Sequence, residues 1–251
     1  MSDYPETAIV VPCYNEAARL DADAFVQFAA EHPSVRFVFV DDGSTDTTRE
    51  TLHALSDRLG PCGEVLSLDV NQGKAEAVRC GMLHAFDLDC SRVGYWDADL
   101  ATPLTEIPRF VEILSTRSER FVVFGARVQL LGRRITRRRA RHYLGRVFAT
   151  AASMLLALPV YDTQCGAKLF RAEPRTRALF EAPFVVTWTF DVELIARLIA
   201  GERERGGGDV GELIYELPLD AWRDVEGSKV RPRDFLRALF ELLRIRKRYL
   251  R

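Results

Sequence analysis

No stretch of this 251-residue chain approaches the run of about 20 apolar residues that a helix needs to span a bilayer. Its opening residues, Met1 to Glu6, are too polar for a secretory leader. The expectation is a soluble protein or one that sits on a membrane surface. Cysteines are few: Cys13, Cys62, Cys80, Cys90 and Cys165 are odd in number, far apart and form no CxxC pair. A disulfide framework and a structural zinc site are therefore not expected, and the reducing cytoplasm is the expected compartment. Glycine-rich phosphate loops are missing too. No GxGxxG follows the first apolar run and no GxxxxGK(S/T) occurs at all, which argues against a dinucleotide fold and a P-loop. Acidic residues are absent from Arg120 to Tyr161, while nine arginines fall between Arg120 and Arg146. A net charge of −1 hides this segregation. An apolar share of 47% and a charged share of 28% are those of an ordinary globular domain, long enough to bury a full core.

What is present is organised around Tyr95-Trp96-Asp97-Ala98-Asp99. In strand geometry alternate residues share a face, so Asp97 and Asp99 can point the same way. Two carboxylates, with Thr102 and the breaker Pro103 behind them, suit a hard divalent cation that keeps waters and also binds a diphosphate. An Asp-rich surface turn would read the same, so the pair carries weight only if a nucleotide site surrounds it.

Along the chain, apolar β-branched runs at Thr7–Pro12, Val35–Val40, Glu64–Asp69, Val93–Trp96 and Phe121–Phe124 read as strands. Helical patterns lie between them: Ala17–Glu31, a segment capped by Ser44 or Thr45 and running to about Arg58, Ala75–Phe86, and Ile107–Leu114. This alternation predicts an α/β fold with a mainly parallel sheet covered on both faces. Such sheets bind ligands at the carboxyl ends of their strands. The polar clusters sit at those ends: Pro12 to Glu16, Asp41-Asp42, Asn71 to Lys74, and Asp97 to Asp99. Together they predict a metal-dependent nucleotide site.

The segments VVPCYNE, FVFVDDGSTD, NQGKAEAV, YWDADLATP, DTQCGAKLF and FDVEL, in that order and spacing, resemble the inverting family 2 glycosyltransferases of the GT-A fold. Within that family the resemblance is to dolichyl-phosphate β-glucosyltransferases, with polyprenyl-phosphate mannose synthases nearby. It covers about Ala8 to Lys229 and implies a single GT-A domain, a UDP- or GDP-hexose donor, Mg²⁺ or Mn²⁺, and inversion at the anomeric carbon. By the same likeness, Pro12, Tyr14, Glu16 and Asp42 hold the base and ribose. Asp41, Lys74 and Ala98, on the same rim, are further donor-site candidates, and Lys229, in a polar loop that could close over the donor, would then lie near the diphosphate. Asp97 lies near ribose and metal, and Asp99 is the principal metal ligand. Residues 1–125 would form the nucleotide-sugar half and 126–251 the acceptor half. The sequence departs from the pattern at two places: Ala101 replaces a metal-binding glutamine of the mannose synthases, and Ala167 replaces an aromatic residue. Relatives usually carry transmembrane anchors, for which this chain shows no signal.

The acceptor follows from charge. A hydroxyl must lose a proton as it attacks, whereas a lipid monophosphate is already largely ionised and needs cations instead. Arginine suits that task, and Arg127, Arg137 and Arg141 are the candidates. A polyprenyl phosphate at a membrane surface is thus the expected acceptor. The family resemblance places DTQCGAK on the sugar and acceptor side, with Gln164 and Lys168 as its candidate catalytic residues. The basic stretch leads into the apolar Val147–Leu158 and reads as a helix lying on anionic lipid, or else as a solvated helix followed by a core helix. If the acceptor is a hydroxyl, Asp191 or Glu193 is the expected base. Nucleic acid is not an expected partner, because no aromatic interleaves with the arginines before Tyr143. Cys165 reads as packing, and no histidine sits on the rim. Asp234–Arg251 reads as an amphipathic helix: a core cover, a dimer face or a second membrane contact. The expected location is cytoplasmic or peripheral on the cytoplasmic membrane face.

Overall fold

The computed structural model describes residues 6–136, 139–224 and 232–250, excepting the side chains of 136–144 and 232–236. Strand and helix alternate through β1 (Thr7–Cys13), α1 (Ala22–Glu31), β2 (Val35–Asp42), α2 (Thr48–Leu59), β3 (Gly63–Leu68), α3 (Lys74–Phe86), β4 (Arg92–Trp96), α4 (Ile107–Thr116) and β5 (Val122–Ala126). The chain continues through β6 (Arg134–Thr136), α5 (Arg139–Leu156), β7 (Ala167–Arg171), α6 (Pro174–Glu181) and α7 (Phe190–Glu204). It ends with α8 (Val210–Leu213), β8 (Ile214–Pro218), β9 (Ala221–Arg223) and α9 (Pro232–Tyr249).

Seven strands form one sheet in the order β3-β2-β1-β4-β7-β5-β8. All neighbours run parallel except β7, which is antiparallel to both β4 and β5. β6 and β9 pair separately as a small ribbon. The order runs outward from β1 through β2 to β3 on one side and to β4 on the other, so the crevice between β1 and β4 is the switch point where open sheets bind ligands. Two strands from the second half, β7 and β8, complete the sheet begun by the first half.

Period-two alternation sorts the core. Ala8 and Val10 of β1 belong to the core cluster that includes α3 and α7 residues, whereas Ile9 and Val11 belong to the one that includes α1, α2 and α4 residues. Phe25 of α1 meets Phe37 and Phe39 of β2 edge-on at 5.1 Å each, and burying each ring contributes about 1.5–3 kcal/mol.

Two helix starts differ from expectation. α1 begins at Ala22, not Ala17, because the preceding residues are tied elsewhere: the Glu16 and Ala17 amides donate to Thr48 Oγ1 at 2.8 and 3.0 Å. Asp21 then caps α1 by accepting from Ala24 N at 3.1 Å. α2 is not capped by Ser44 or Thr45; its N-cap residue is Thr47. The apolar Val147–Leu158 is half core: Phe148, Ala152 and Leu156 are buried, while Val147 and Met154 are exposed. α9 is a core cover through Ala238, Leu242 and Ile245.

Candidate active site

A cleft of about 410 Å³ opens where β1, β2 and β4 end. Pro12 lines it from the end of β1, Tyr14 and Glu16 from the loop that follows, Asp42 from β2, Asn71 from the turn before α3, Lys74 from its first residue, and Asp97, Ala98 and Asp99 from beyond β4. Asn15 locks the first two loops together. It adopts φ 53°, a region Asn tolerates better than most residues, and its Oδ1 accepts from Thr45 N at 2.9 Å. Its own amide donates to Ser44 Oγ at 3.0 Å.

The two aspartates ending β2 divide their work. Asp42 accepts from Gln72 N at 2.8 Å, Gly73 N at 2.9 Å and Asn71 Nδ2 at 3.0 Å. It therefore shapes the α3 entry as well as lining the cleft. Burial raises its carboxyl above the usual range, against the pull of the two amides. Asp41 does not line the cleft. It is fully buried, accepting from Ser44 N at 3.1 Å and Arg49 Nε at 2.8 Å, and so holds the loop after β2.

Beyond β4 the chain turns sharply, with Leu100 at φ 50° donating to Asp97 O at 3.2 Å. Asp97 pairs with Lys74 Nζ at 2.5 Å. Lys74 is held above its usual range: desolvation works against its charge, and the carboxylates of Asp97, Asp191 and Asp99 outweigh it. Asp99 Oδ1 accepts from Ala101 N at 3.0 Å, and its carboxyl is raised by burial and then by Asp97. Two crowded carboxylates, one partly desolvated, fit a divalent cation, whose charge would relieve both effects. Among the described residues no group of three or more His, Cys, Asp or Glu gathers. Asp97 and Asp99 could supply two ligands, as in sites completed by water and phosphate oxygens.

DTQCGAKLF packs against this turn. Gly166 O accepts from Asp97 N at 3.0 Å. What approaches the Gly166 backbone most closely is the Asp97 carboxylate. Lys168, opposite Tyr95 in the β4–β7 register, is completely buried. Its Nζ donates to Cys165 O at 2.7 Å, Thr163 O at 3.0 Å and Asp191 Oδ1 at 2.6 Å. The Tyr95 hydroxyl donates to the same Asp191 oxygen, and burial together with Asp191 raises that phenol well above its usual value. Lys168 is thus a buried counter-ion that holds the 163–165 strap. Gln164 sits on that strap, its amide donating to Asp162 Oδ1 at 3.2 Å.

Glu193 is no base. Its fully buried carboxylate accepts from Val185 N, Val186 N, Arg197 and the Tyr249 hydroxyl at 2.7 to 3.1 Å. It ties α7 to α9 and to the loop before α7. Arg127 offers no open fork either, since it grips Asp162 bidentately at 2.6 and 2.7 Å. Glu216 fixes Asp162 in turn, accepting from its amide at 2.9 Å. Arg137 and Lys229 lie outside the described residues, and Arg141 is described only as helical backbone of α5. Sequence reasoning missed Arg19, which lines the cleft and pairs with Glu16 Oε1 at 2.5 Å. The i, i+3 spacing was the available signal.

Residues 8–176 match the model of Glycosyl transferase family 2. A dolichyl-phosphate beta-glucosyltransferase of Trichomonas vaginalis is 31% identical over 251 residues, covering 95% of this chain and 70% of that relative. One from Saccharomyces cerevisiae is 31% identical over 267 residues, covering 97% and 75%. Among solved structures, glucosyl-3-phosphoglycerate synthase of Mycobacterium tuberculosis superposes with a TM-score of 0.66 at 20% identity, over 96% of this chain and 80% of that one. The same enzyme with Mn²⁺, uridine diphosphate and glucosyl-3-phosphoglycerate gives 0.63 at the same identity and coverage. With a GT-A sheet, a cleft at its switch point and a family match over most of its length, the chain belongs to glycosyl transferase family 2.

Proposed function

We propose that this protein is a metal-dependent, inverting hexosyltransferase that moves glucose from a UDP- or GDP-sugar to polyprenyl phosphate. The observation that carries the acceptor is the state of the two expected bases. Glu193 is saturated by donors, and one Asp191 oxygen already takes two, from Lys168 and Tyr95. Such a site suits an acceptor that arrives without a proton to lose, as a lipid phosphate does. The dolichyl-phosphate glucosyltransferases, alike over nearly the whole chain, support the same choice. The rival reading, a hydroxyl acceptor, would have to rely on the second oxygen of Asp191, since Glu193 is saturated by donors.

Within the cleft, Pro12, Tyr14, Glu16 and Asp42 would take the nucleoside, and Lys74 the diphosphate from the first turn of α3, where helix polarity also favours anions. Asp97 and Asp99 would hold Mg²⁺ or Mn²⁺; a cation there neutralises charge developing on the leaving diphosphate. Arg127 and its Asp162 partner would define the acceptor side, with Gln164 between them and the sugar. Residues 1–125 would act chiefly on the donor and 126–251 on the acceptor. Work on a lipid phosphate implies a peripheral position on the cytoplasmic face of a membrane. Among the described residues no helix is long and apolar enough to cross one.

The test is release of nucleoside diphosphate from a panel of nucleotide sugars with Mn²⁺, with and without a polyprenyl phosphate. Turnover that requires the lipid phosphate is the expected result and identifies the donor. Turnover indifferent to it, but driven by a sugar hydroxyl, would overturn the acceptor assignment.

A further inference from the structure

α9 covers the core with one face only. Ala238, Leu242 and Ile245 are buried, whereas Phe240 and Leu243 stand 68% and 59% exposed. Trp188, on the loop leading into α7, is 38% exposed. Between that loop and α9 lies a second cavity of about 360 Å³, walled by Val185, Val186 and Phe240 and bordered by Arg237 and Arg244. Its floor is firmly built. The buried Glu241 carboxylate accepts from Trp188 N at 3.0 Å and Thr189 N at 2.8 Å. Arg237 bridges Glu241 and Thr187 at 3.2 and 2.6 Å. Arg244 is exposed and makes no ion pair or side-chain hydrogen bond among the described residues. From Arg237 to Leu250 the single carboxylate is that buried Glu241, while Arg244, Arg246, Lys247 and Arg248 are all exposed.

We propose that this cavity and the outer face of α9 form a docking site for an anionic phospholipid surface. A headgroup phosphate enters between Arg237 and Arg244, and Phe240, Leu243 and Trp188 settle at the acyl boundary. The two halves of the patch select this occupant together. A free phosphate would leave Phe240 and Leu243 in water, and an uncharged lipid would leave Arg244 without a counter-ion. An anion joined to an apolar body satisfies both. A Trp beside a cationic helix face is a side chain suited to the headgroup level, apolar in its rings and able to donate at its edge. The inference deepens the lipid-acceptor reading, but the site lies apart from the cleft and needs neither donor nor acceptor.

Co-sedimentation of the full chain with phosphatidylcholine vesicles, with and without about 30% phosphatidylglycerol, tests it. Binding is expected only to the anionic vesicles, and is expected to weaken with salt. Arg244→Glu should lower partition about tenfold, since it reverses a charge at the surface, and Leu243→Ser should lower it further. Neither should shift the thermal midpoint, both side chains being exposed. Millimolar glycerol 3-phosphate should not displace the vesicles. Unchanged partition of Arg244→Glu would overturn the site, and full displacement by glycerol 3-phosphate would reduce it to a phosphate site. Either failure leaves the transferase reading standing. Partition without lipid-phosphate-dependent turnover would sink that reading alone.

Discussion

Gly166 lies so close to Asp97 that a Cβ built on it would sit 1.9 Å from the Asp97 carboxylate. The strap before β7 therefore sets the position of a carboxylate that follows β4. Gly166→Ala would push against the Asp97 carboxylate rather than against backbone. Thermal stability should change little while kcat/KM falls about a hundredfold, the scale of a 1 Å misplacement at a reacting centre. Normal turnover in this variant would show that Asp97 tolerates displacement.

Lys168 and Asp191 form a buried ion pair. Removing one partner strands the other, which typically costs about 3–5 kcal/mol. Lys168→Met should lose that much in urea denaturation. Lys168→Met combined with Asp191→Leu should regain only part of it, because the carbonyls of Thr163 and Cys165 also lose their donor. Full recovery in the double variant would mean that the strap does not depend on the ammonium.

Glu193 offers a contrast of roles. Glu193→Gln keeps one acceptor oxygen but loses the charge that faces Arg197, so destabilisation on the order of 3 kcal/mol is expected. The pH profile of kcat should stay as in the wild type, measured below the melting range. Loss of the acidic limb of that profile, with intact stability, is what removing a general base would produce.

Asp99 links the site to pH. Burial, then Asp97, raises its carboxyl above the ordinary aspartate value, so the folded protein keeps this proton to higher pH than the unfolded chain does. Its contribution to stability is greatest below the unfolded pKa and declines as pH rises through the folded one. At neutral pH without divalent cation, Asp99→Asn should therefore melt higher than the wild type while losing turnover. Mn²⁺ should raise the wild-type midpoint and leave the variant almost unmoved. A lower midpoint for the variant in metal-free buffer would contradict this account.

Much of the fold was legible because its signals are local. β-branched runs and helical periodicity located the strands from β1 to β5, and their polar ends marked the rim on which the cleft opens. The α1 start was misread because a long-range bond from Thr48 holds the Glu16 and Ala17 amides. No helical periodicity records such a bond.

The site was legible in its acidic motifs and opaque in its pairings. Asp41 and Asp42 are adjacent in sequence, yet one is sealed against Arg49 and the other lines the cleft. Asp191 and Glu193 read as equivalent bases, yet one meets Lys168 and the other Arg197. Arg127 reads as a free cation until Asp162, 35 positions along the chain, closes on it. Residue type and spacing by themselves determined the family, the sheet and the carboxylates beyond β4, since these rest on local chemistry. Which charges remain free to meet a substrate was decided only by tertiary structure. Neutralising a buried charge takes a partner within a few ångströms, and chain order says little about which residue comes that close.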